Sequence, residues 1–144
     1  MKIIGIIPAR MAASRFPGKP LFNIIDRPML SHVWGRAKLF DKWDHLSIAT
    51  CDNEIVLLAE ENNYKYIMTG IHHTRALDRV AEAAGKIDEF DLKDDDIIIN
   101  VQGDEPMLHH GSLEDLKKYT PKFRKPIEFD YRGHHIISFA PPSS

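Results

Sequence analysis

The cations of one short loop are the first residues that could do chemistry. Arg10, Arg15 and Lys19 lie in segment 6–21, which reads IIPARMAASRFPGKPL and follows an apolar run. Its three prolines stiffen the turn. Cations that face a polyphosphate neutralise charge that develops during phosphoryl or nucleotidyl transfer. The pattern predicts phosphate recognition by side-chain charge, with an exposed basic loop that serves only solubility as the alternative.

The familiar phosphate-binding loops do not match this segment. A Walker A motif requires Gly where Ala13 stands, and Ser or Thr where Pro20 follows Lys19. The dinucleotide pattern G-x-G-x-x-G also fails, because the loop has a single glycine, Gly18. Phosphate recognition in this loop would therefore depend on its cations.

An acid follows another apolar run. Segment 100–106 reads NVQGDEP, and its Asp104 comes after the run 97–101. Mg²⁺ typically takes one or two carboxylates together with phosphate oxygens. Cations on one loop and an acid on another are what a metal–nucleotide site needs. The alternative is a plain turn built from Gly103 and Asp104.

The elements that must position these segments alternate between strand and helix. Apolar runs at 3–7, 46–49, 65–68 and 97–101 predict strands. Apolar residues at helical spacing predict helices after Pro28, over 55–61 and over 77–84. A capping box at 112–115 predicts one more short helix, and two short strands are predicted at 127–130 and 135–139. The class is α/β with a mainly parallel sheet, whose ligands bind at the carboxyl ends of the strands.

Composition narrows the class of protein. The chain has 144 residues, of which 43% are hydrophobic, enough for one globular domain with a real core. A net charge of −2 argues against nucleic acid or an anionic membrane as the partner. The single Cys51 favours a reducing compartment. With neither a signal peptide nor a membrane span predicted, the expected location is the cytoplasm.

Two motifs carry a family resemblance. I-I-P-A-R-x-x-x-S-R-x-P-G-K-P-L and N-V-Q-G-D-E-P strongly resemble those of the 3-deoxy-manno-octulosonate cytidylyltransferases, or CMP-Kdo synthetases. The similarity extends from Ile3 to Leu116 and includes D-x-P-M at 26–29. It implies a Rossmann-like nucleotidyltransferase fold, a three-layer sandwich with a mainly parallel sheet. It also implies that CMP passes from CTP to a Kdo-like sugar acid with Mg²⁺ as cofactor, releasing pyrophosphate, for lipopolysaccharide synthesis.

The resemblance also implies roles for individual residues. Arg10 and Lys19 would bind and neutralise the triphosphate, and Asp104 would be the Mg²⁺ ligand; these three form the expected catalytic set. Pro8 and Ala9 would contribute main chain beside the nucleotide, and Gln102 and Gly103 would lie near the cytidine. Four further residues match the family's nucleotide site by position: Ser14, Arg15, His73 and Arg79.

The sequence departs from the family in two places. The family's middle segment has the form H-x-S-G-T-x-R; here His73 and Arg79 are kept, but S-G-T is replaced by residues 75–77, R-A-L. Arg75 adds a phosphate or base contact, or caps a helix. Family members are also longer, and their second half supplies much of the sugar pocket, a later metal-binding aspartate and the dimer surface. We therefore divide the chain into a nucleotide-binding domain, 1–116, and a divergent or truncated tail, 117–144.

Three hypotheses stay open at this point. The first is a Kdo-type cytidylyltransferase with CTP and a sugar acid as partners, with a homodimer as a further expectation. The second is a shortened, catalytically weak or silent homologue that binds nucleotide or a protein partner. The third is a cytidylyltransferase for a different sugar acid.

Several other residues are interpreted as structural. Six of the eight histidines form adjacent pairs, and neighbours on a strand point to opposite faces, which disfavours a shared zinc ion. Cys51 and Trp34 are expected to be packed residues. The acids at 94–96 are expected to form a solvated turn.

Overall fold

The computed structural model describes residues 1–12, 15–87, 91–104, 106, 127–131 and 134–138. The strands are β1 (Ile3–Pro8), β2 (Asn23–Ile24), β3 (Arg27–Pro28), β4 (His45–Thr50), β5 (Tyr66–Met68), β6 (Ile97–Asn100), β7 (Ile127–Tyr131) and β8 (His134–Ser138). The helices are α1 (Met29–Lys38), α2 (Asn53–Glu61) and α3 (Ala76–Ala84), and a 3₁₀ helix spans Lys19–Leu21. The strands and helices predicted within these ranges are confirmed, whereas the predicted helix at 112–115 lies outside them.

One six-stranded sheet organises the fold, in the order β5-β4-β1-β6-β8-β7. β1 pairs in parallel with both β4 and β6, and β5 and β8 extend the parallel arrangement on either side. Only β7, which pairs with β8, is antiparallel among these six strands. The predicted mainly parallel sheet is confirmed, and two strands of the predicted tail complete it.

The helices cover both faces of the sheet, which gives three layers. Alternate side chains of β1 point to opposite faces, as strand geometry requires. Ile3 and Ile7 pack in one cluster with residues of α1 and α2, and Ile4 and Ile6 pack in the other with residues of α3. Trp34 belongs to the first cluster and stacks on Tyr64 at a centroid distance of 4.6 Å, which confirms its predicted core position. No helix in the described part of the chain is long and apolar enough to cross a membrane.

Asp96 corrects the expectation of a solvated acidic turn. Its side chain is only 4% exposed, and it lies directly before β6. One carboxylate oxygen accepts the Lys2 N–H at 2.6 Å and the other accepts the Lys93 N–H at 3.0 Å. The Lys93 hydrogen bond lowers the pKa of Asp96; burial opposes this, and the Lys2 hydrogen bond adds to the lowering. Asp96 therefore fastens the start of β1 to the turn before β6.

Replacing Asp96 tests this role. Asp96→Asn should lower the free energy of unfolding at neutral pH by about 1–3 kcal/mol, because a charged acceptor of two backbone donors is lost. Since the folded-state pKa is depressed, this stabilisation is fully present above the unfolded pKa and is lost progressively as pH falls from there through the folded-state pKa. Urea unfolding at pH 7 and near pH 3 measures the difference. The exposed neighbour Asp95→Asn is the control, and equal losses in both variants would contradict the assignment.

Candidate active site

A cavity of about 470 Å³ lies at the carboxyl ends of β1 and β6, beside the start of α3. Its wall comes from residues within 8–29, 73–79 and 102–104. Predicted site residues line it from all three segments: Pro8, Ala9, Arg10, Arg15, Lys19, His73, Arg79, Gln102, Gly103 and Asp104. Ser14 lies outside the described residues. The fold thus brings distant segments of sequence around one cavity, while the role of each residue stays a prediction.

The cation loop, residues 9–21, is held by backbone hydrogen bonds. The Ala9 N–H donates to the Ala49 carbonyl at 2.9 Å, which extends the pairing of β1 with β4. The Met11 N–H donates to the Asp52 carboxylate at 2.7 Å, and the Met11 carbonyl accepts the Gly18 N–H at 2.9 Å. Gly18 has φ +75°, a left-handed conformation that glycine adopts without strain. The described part of the loop is therefore anchored at the carboxyl edge of the sheet.

One ion pair joins the two motifs. The Lys19 ammonium lies 3.3 Å from a carboxylate oxygen of Asp104, and both side chains are more than a third exposed. Arg10 and Arg15 also face the cavity, are exposed, and form no ion pair with any described residue. Among the described lining residues cations therefore outnumber acids, which suits an anionic ligand of several charges.

Gly103 allows the two motifs to come together. A Cβ atom at this position would lie 2.3 Å from the Pro8 carbonyl oxygen, far inside van der Waals contact. The neighbouring Val101 N–H donates to the Ile6 carbonyl at 2.9 Å, so the end of β1 and the chain after β6 run side by side. Absence of a side chain at Gly103 is thus a condition for placing Asp104 beside the cation loop.

The buried side chain of Arg79 forms hydrogen bonds within the protein. It is 2% exposed, and its guanidinium donates to the Thr69 hydroxyl and, at 3.3 Å, to the Gly70 carbonyl. These bonds fix the segment before α3, so Arg79 positions the cavity wall. A direct contact between Arg79 and a ligand stays a prediction.

His73 is paired with Glu82 from α3. Its ring Nε2 hydrogen-bonds to the Glu82 carboxylate, which also accepts the Gly70 N–H and lies 2.6 Å from the Lys86 ammonium. Burial alone would raise the pKa of Glu82, but hydrogen bonds from Lys86, His73 and Gly70 outweigh it and lower the pKa to about 2. Glu82 is therefore a carboxylate at neutral pH.

Two residues that help to build the site were not among the site residues expected from the sequence. Asp52, which holds the cation loop, comes just after β4 at the same sheet edge, a location that could have marked it. Arg75 occupies the N-cap of α3 but makes no capping hydrogen bond; its exposed side chain lines the cavity. Of the two readings of Arg75, the structure favours a ligand contact over a cap. Phe16, Pro20 and Met29 add apolar wall.

The fit of the site to Mg²⁺ depends on one residue. Asp104 is the only carboxylate among the described residues that line the cavity. It is exposed, and within the described part of the chain its one polar side-chain contact is with Lys19. One carboxylate with phosphate oxygens is a common Mg²⁺ ligand set. The residues present thus fit a nucleotide-bound magnesium ion.

Comparison with known proteins decides the family. The family model described as cytidylyltransferase matches residues 4–126. The chain belongs to the cytidylyltransferase family. A 3-deoxy-manno-octulosonate cytidylyltransferase of Nitratidesulfovibrio vulgaris (strain DP4) is 45% identical over 112 residues, which cover 78% of this chain and 43% of that protein. An 8-amino-3,8-dideoxy-manno-octulosonate cytidylyltransferase of Shewanella sp. (strain W3-18-1) is 39% identical over 142 residues, 97% of this chain and 56% of its own length.

Solved structures agree with this membership. A CMP:2-keto-3-deoxy-manno-octonic acid synthetase complexed with CTP superimposes with a TM-score of 0.73 at 36% identity, covering 82% of this chain and 46% of that one. The Rossmann-like nucleotidyltransferase fold is therefore confirmed for this chain. The chain spans about half the length of the curated relatives it matches.

Proposed function

We propose that this chain is the nucleotide-binding part of a cytidylyltransferase that transfers CMP from CTP to a 3-deoxy-octulosonate-type sugar acid and releases pyrophosphate. The observation that carries the proposal is the meeting of the cation loop and Asp104 at one cavity, joined by the 3.3 Å contact of Lys19 with Asp104. Family membership and a similar synthetase complexed with CTP support cytidine as the base.

The residues divide the work of the proposed reaction. A sugar hydroxyl forms a bond to the α-phosphorus of CTP, the bond from phosphorus to the bridging oxygen breaks, and the hydroxyl proton leaves to water. Lys19 and Arg10 hold the phosphates and offset the negative charge that accumulates on them. Gln102 and Gly103 line the cavity and would border the nucleoside, while Arg15 and Arg75, which line it too, would add cations at the rim. Mg²⁺, when bound at Asp104, supplies further neutralisation of the phosphate oxygens.

The proposal also covers the acceptor sugar acid, the cellular location and the oligomeric state. The match to the Shewanella protein covers nearly the whole chain, which favours an 8-amino sugar acid as a second candidate acceptor. The unpaired thiol of Cys51 is compatible with cytoplasmic function. The division at residue 116 and a homodimer stay predictions; light scattering on the purified chain measures the latter.

Nucleotide selectivity tests the proposal directly. CTP with Mg²⁺ should raise the melting temperature more than ATP or GTP, because only a ligand of the folded state stabilises it. Release of pyrophosphate from CTP with and without a 3-deoxy-octulosonate then separates transfer from binding. Equal shifts for all three nucleotides would contradict a cytidylyltransferase. CTP-selective binding without pyrophosphate release would favour the nucleotide-binding homologue.

The cation loop has its own prediction. Lys19→Ala and Arg10→Ala should each weaken CTP binding by on the order of tenfold or more, because each removes a charge-assisted phosphate contact worth about 1.5–3 kcal/mol. The fold should persist, since neither side chain is buried: Arg10 lies in a loop and Lys19 at the start of the short 3₁₀ helix. Calorimetric titration with CTP measures the change, with Lys38→Ala, an exposed cation on α1 away from the cavity, as the control. Unchanged affinity in both loop variants would leave the loop a solvated turn.

A further inference from the structure

A second cluster of ligand-type side chains lies beside the cavity. His72 and His73 precede α3, and Glu82 lies on that helix. One potential ligand atom from each of the three lies within 4.8 Å of the others, the only such group among the described residues. The expectation that adjacent histidines point apart assumed a strand and is wrong here, since these two lie in the turn region before α3.

We propose that His72, His73 and Glu82 bind one divalent transition-metal ion, of which Zn²⁺ is the type. Two imidazole nitrogens and a carboxylate oxygen form a ligand set typical of zinc, copper or nickel, whereas Mg²⁺ prefers oxygen ligands. Three protein ligands leave one tetrahedral position for water. This site is separate from Asp104, which belongs to a different segment of the cavity wall.

The surroundings hold the three side chains in place. The two imidazole rings lie 4.2 Å apart between centroids. Ring atoms of His72 would be 2.3 and 2.6 Å from a Cβ on Gly70, so the ring packs against the bare glycine. The Gly70 N–H donates to both oxygens of Glu82 at 3.0 and 3.1 Å. Such outer contacts orient metal ligands before binding.

Charges already present set the conditions for binding. Glu82 is ionised at neutral pH, so it can ligate without losing a proton. The hydrogen bond between His73 and Glu82 must be replaced by two bonds to the metal. Lys86, 2.6 Å from the other carboxylate oxygen, stays as a competing positive charge. Removing the Lys86 charge should therefore strengthen metal binding. If the cluster were only an ion-pair network without a metal, removing Lys86 would weaken it instead.

A bound metal would brace the cavity wall. His72 and His73 lie just before Arg75, and Glu82 lies two turns into α3. One ion bound by all three side chains would hold the segment before α3 in place, and with it Arg75 at the rim of the cavity. The site is tested without nucleotide, so its failure would leave the proposed transfer of CMP untouched.

Zinc titration of the untagged full chain tests the proposal. We expect one Zn²⁺ per chain, retained in excess Mg²⁺ and in Asp104→Asn. His72→Ala and Glu82→Gln should each weaken Zn²⁺ binding on the order of tenfold or more, since changing even a residue that only orients a metal ligand costs about that much. His32→Ala, a histidine outside the cluster, should bind as wild type, and Lys86→Ala more tightly. Co²⁺ should give the absorption of a tetrahedral site.

Two outcomes would overturn the assignment. One is the absence of stoichiometric Zn²⁺ binding to the wild-type chain. The other is binding that survives both His72→Ala and Glu82→Gln, which would place the ion elsewhere. Because His72 is exposed, its variant should keep the wild-type fold, and circular dichroism checks this.

Discussion

Gly103→Ala should disable nucleotide binding although it adds a single methyl group. The new Cβ would lie 2.3 Å from the Pro8 carbonyl oxygen, and a backbone atom in the central strand cannot rotate away. Either the end of β1 or the chain at 102–104 must shift, and each carries part of the cavity wall. We expect a loss of about 1–3 kcal/mol in unfolding free energy from overpacking. CTP affinity should fall on the order of tenfold or more.

Gly35→Ala is the matched control for that experiment. Gly35 lies within α1, and nothing stands within 4 Å of its would-be Cβ. The same change should therefore stabilise the fold by about 0.5–1 kcal/mol, the usual gain for glycine to alanine in a helix. Thermal unfolding and CTP titration of both variants measure the contrast. If Gly103→Ala keeps wild-type stability and CTP affinity, the end of β1 and residues 102–104 move apart without energetic cost and the prediction is wrong.

Asp104→Asn should uncouple CTP from Mg²⁺. Asp104 is paired with Lys19 at 3.3 Å. Binding of CTP with the metal would separate them, Lys19 turning to phosphate and Asp104 to Mg²⁺. The wild-type chain should bind CTP roughly tenfold to a hundredfold tighter with Mg²⁺, a usual range for coupled ligands. The amide keeps the shape but lacks the charge, so this dependence should disappear and any transfer should fall about a hundredfold or more.

Metal-free binding gives the sharper reading of that variant. With EDTA present, Asp104→Asn should bind CTP at least as well as wild type, because Lys19 no longer has an internal partner. Calorimetric titrations with EDTA and with excess Mg²⁺ compare the two. Asp41→Asn, an exposed acid after α1, serves as control. A variant that keeps its Mg²⁺ dependence would place the metal on another ligand.

The sequence predicted the parts of the fold that local pattern determines. The apolar runs that became β1 and β6 are rich in isoleucine and mostly buried, which is typical of strands inside a parallel sheet. Helical spacing of apolar residues likewise predicted α1 and α3, because a helix that buries one face repeats apolar residues at that spacing. The motifs at the carboxyl ends of β1 and β6 then had to share one sheet edge, so the cavity itself was predictable.

Long-range contacts were beyond the reach of local pattern. Asp96 looks solvated in its acidic run, and only the pairing of β6 with β1 brings the Lys2 N–H to it. The grouping of His72, His73 and Glu82 depends on how the turn folds back onto α3. The hydrogen bond of Asp52 with the Met11 N–H depends likewise on the pairing of β1 with β4. The tight approach of Gly103 to Pro8 is a matter of tenths of an ångström, which no spacing of residue types encodes.

The central place of β1 in the sheet bears on how the chain is made. β1 leaves the ribosome before either of its neighbours, yet it pairs on one side with β4 and on the other with β6, where Ile3 meets Ile97. Until those residues emerge, an almost wholly apolar strand has both edges open. Exposed edges of this kind pair readily with other chains. Nascent chains of this protein should therefore be clients of a ribosome-associated chaperone until synthesis has passed β6.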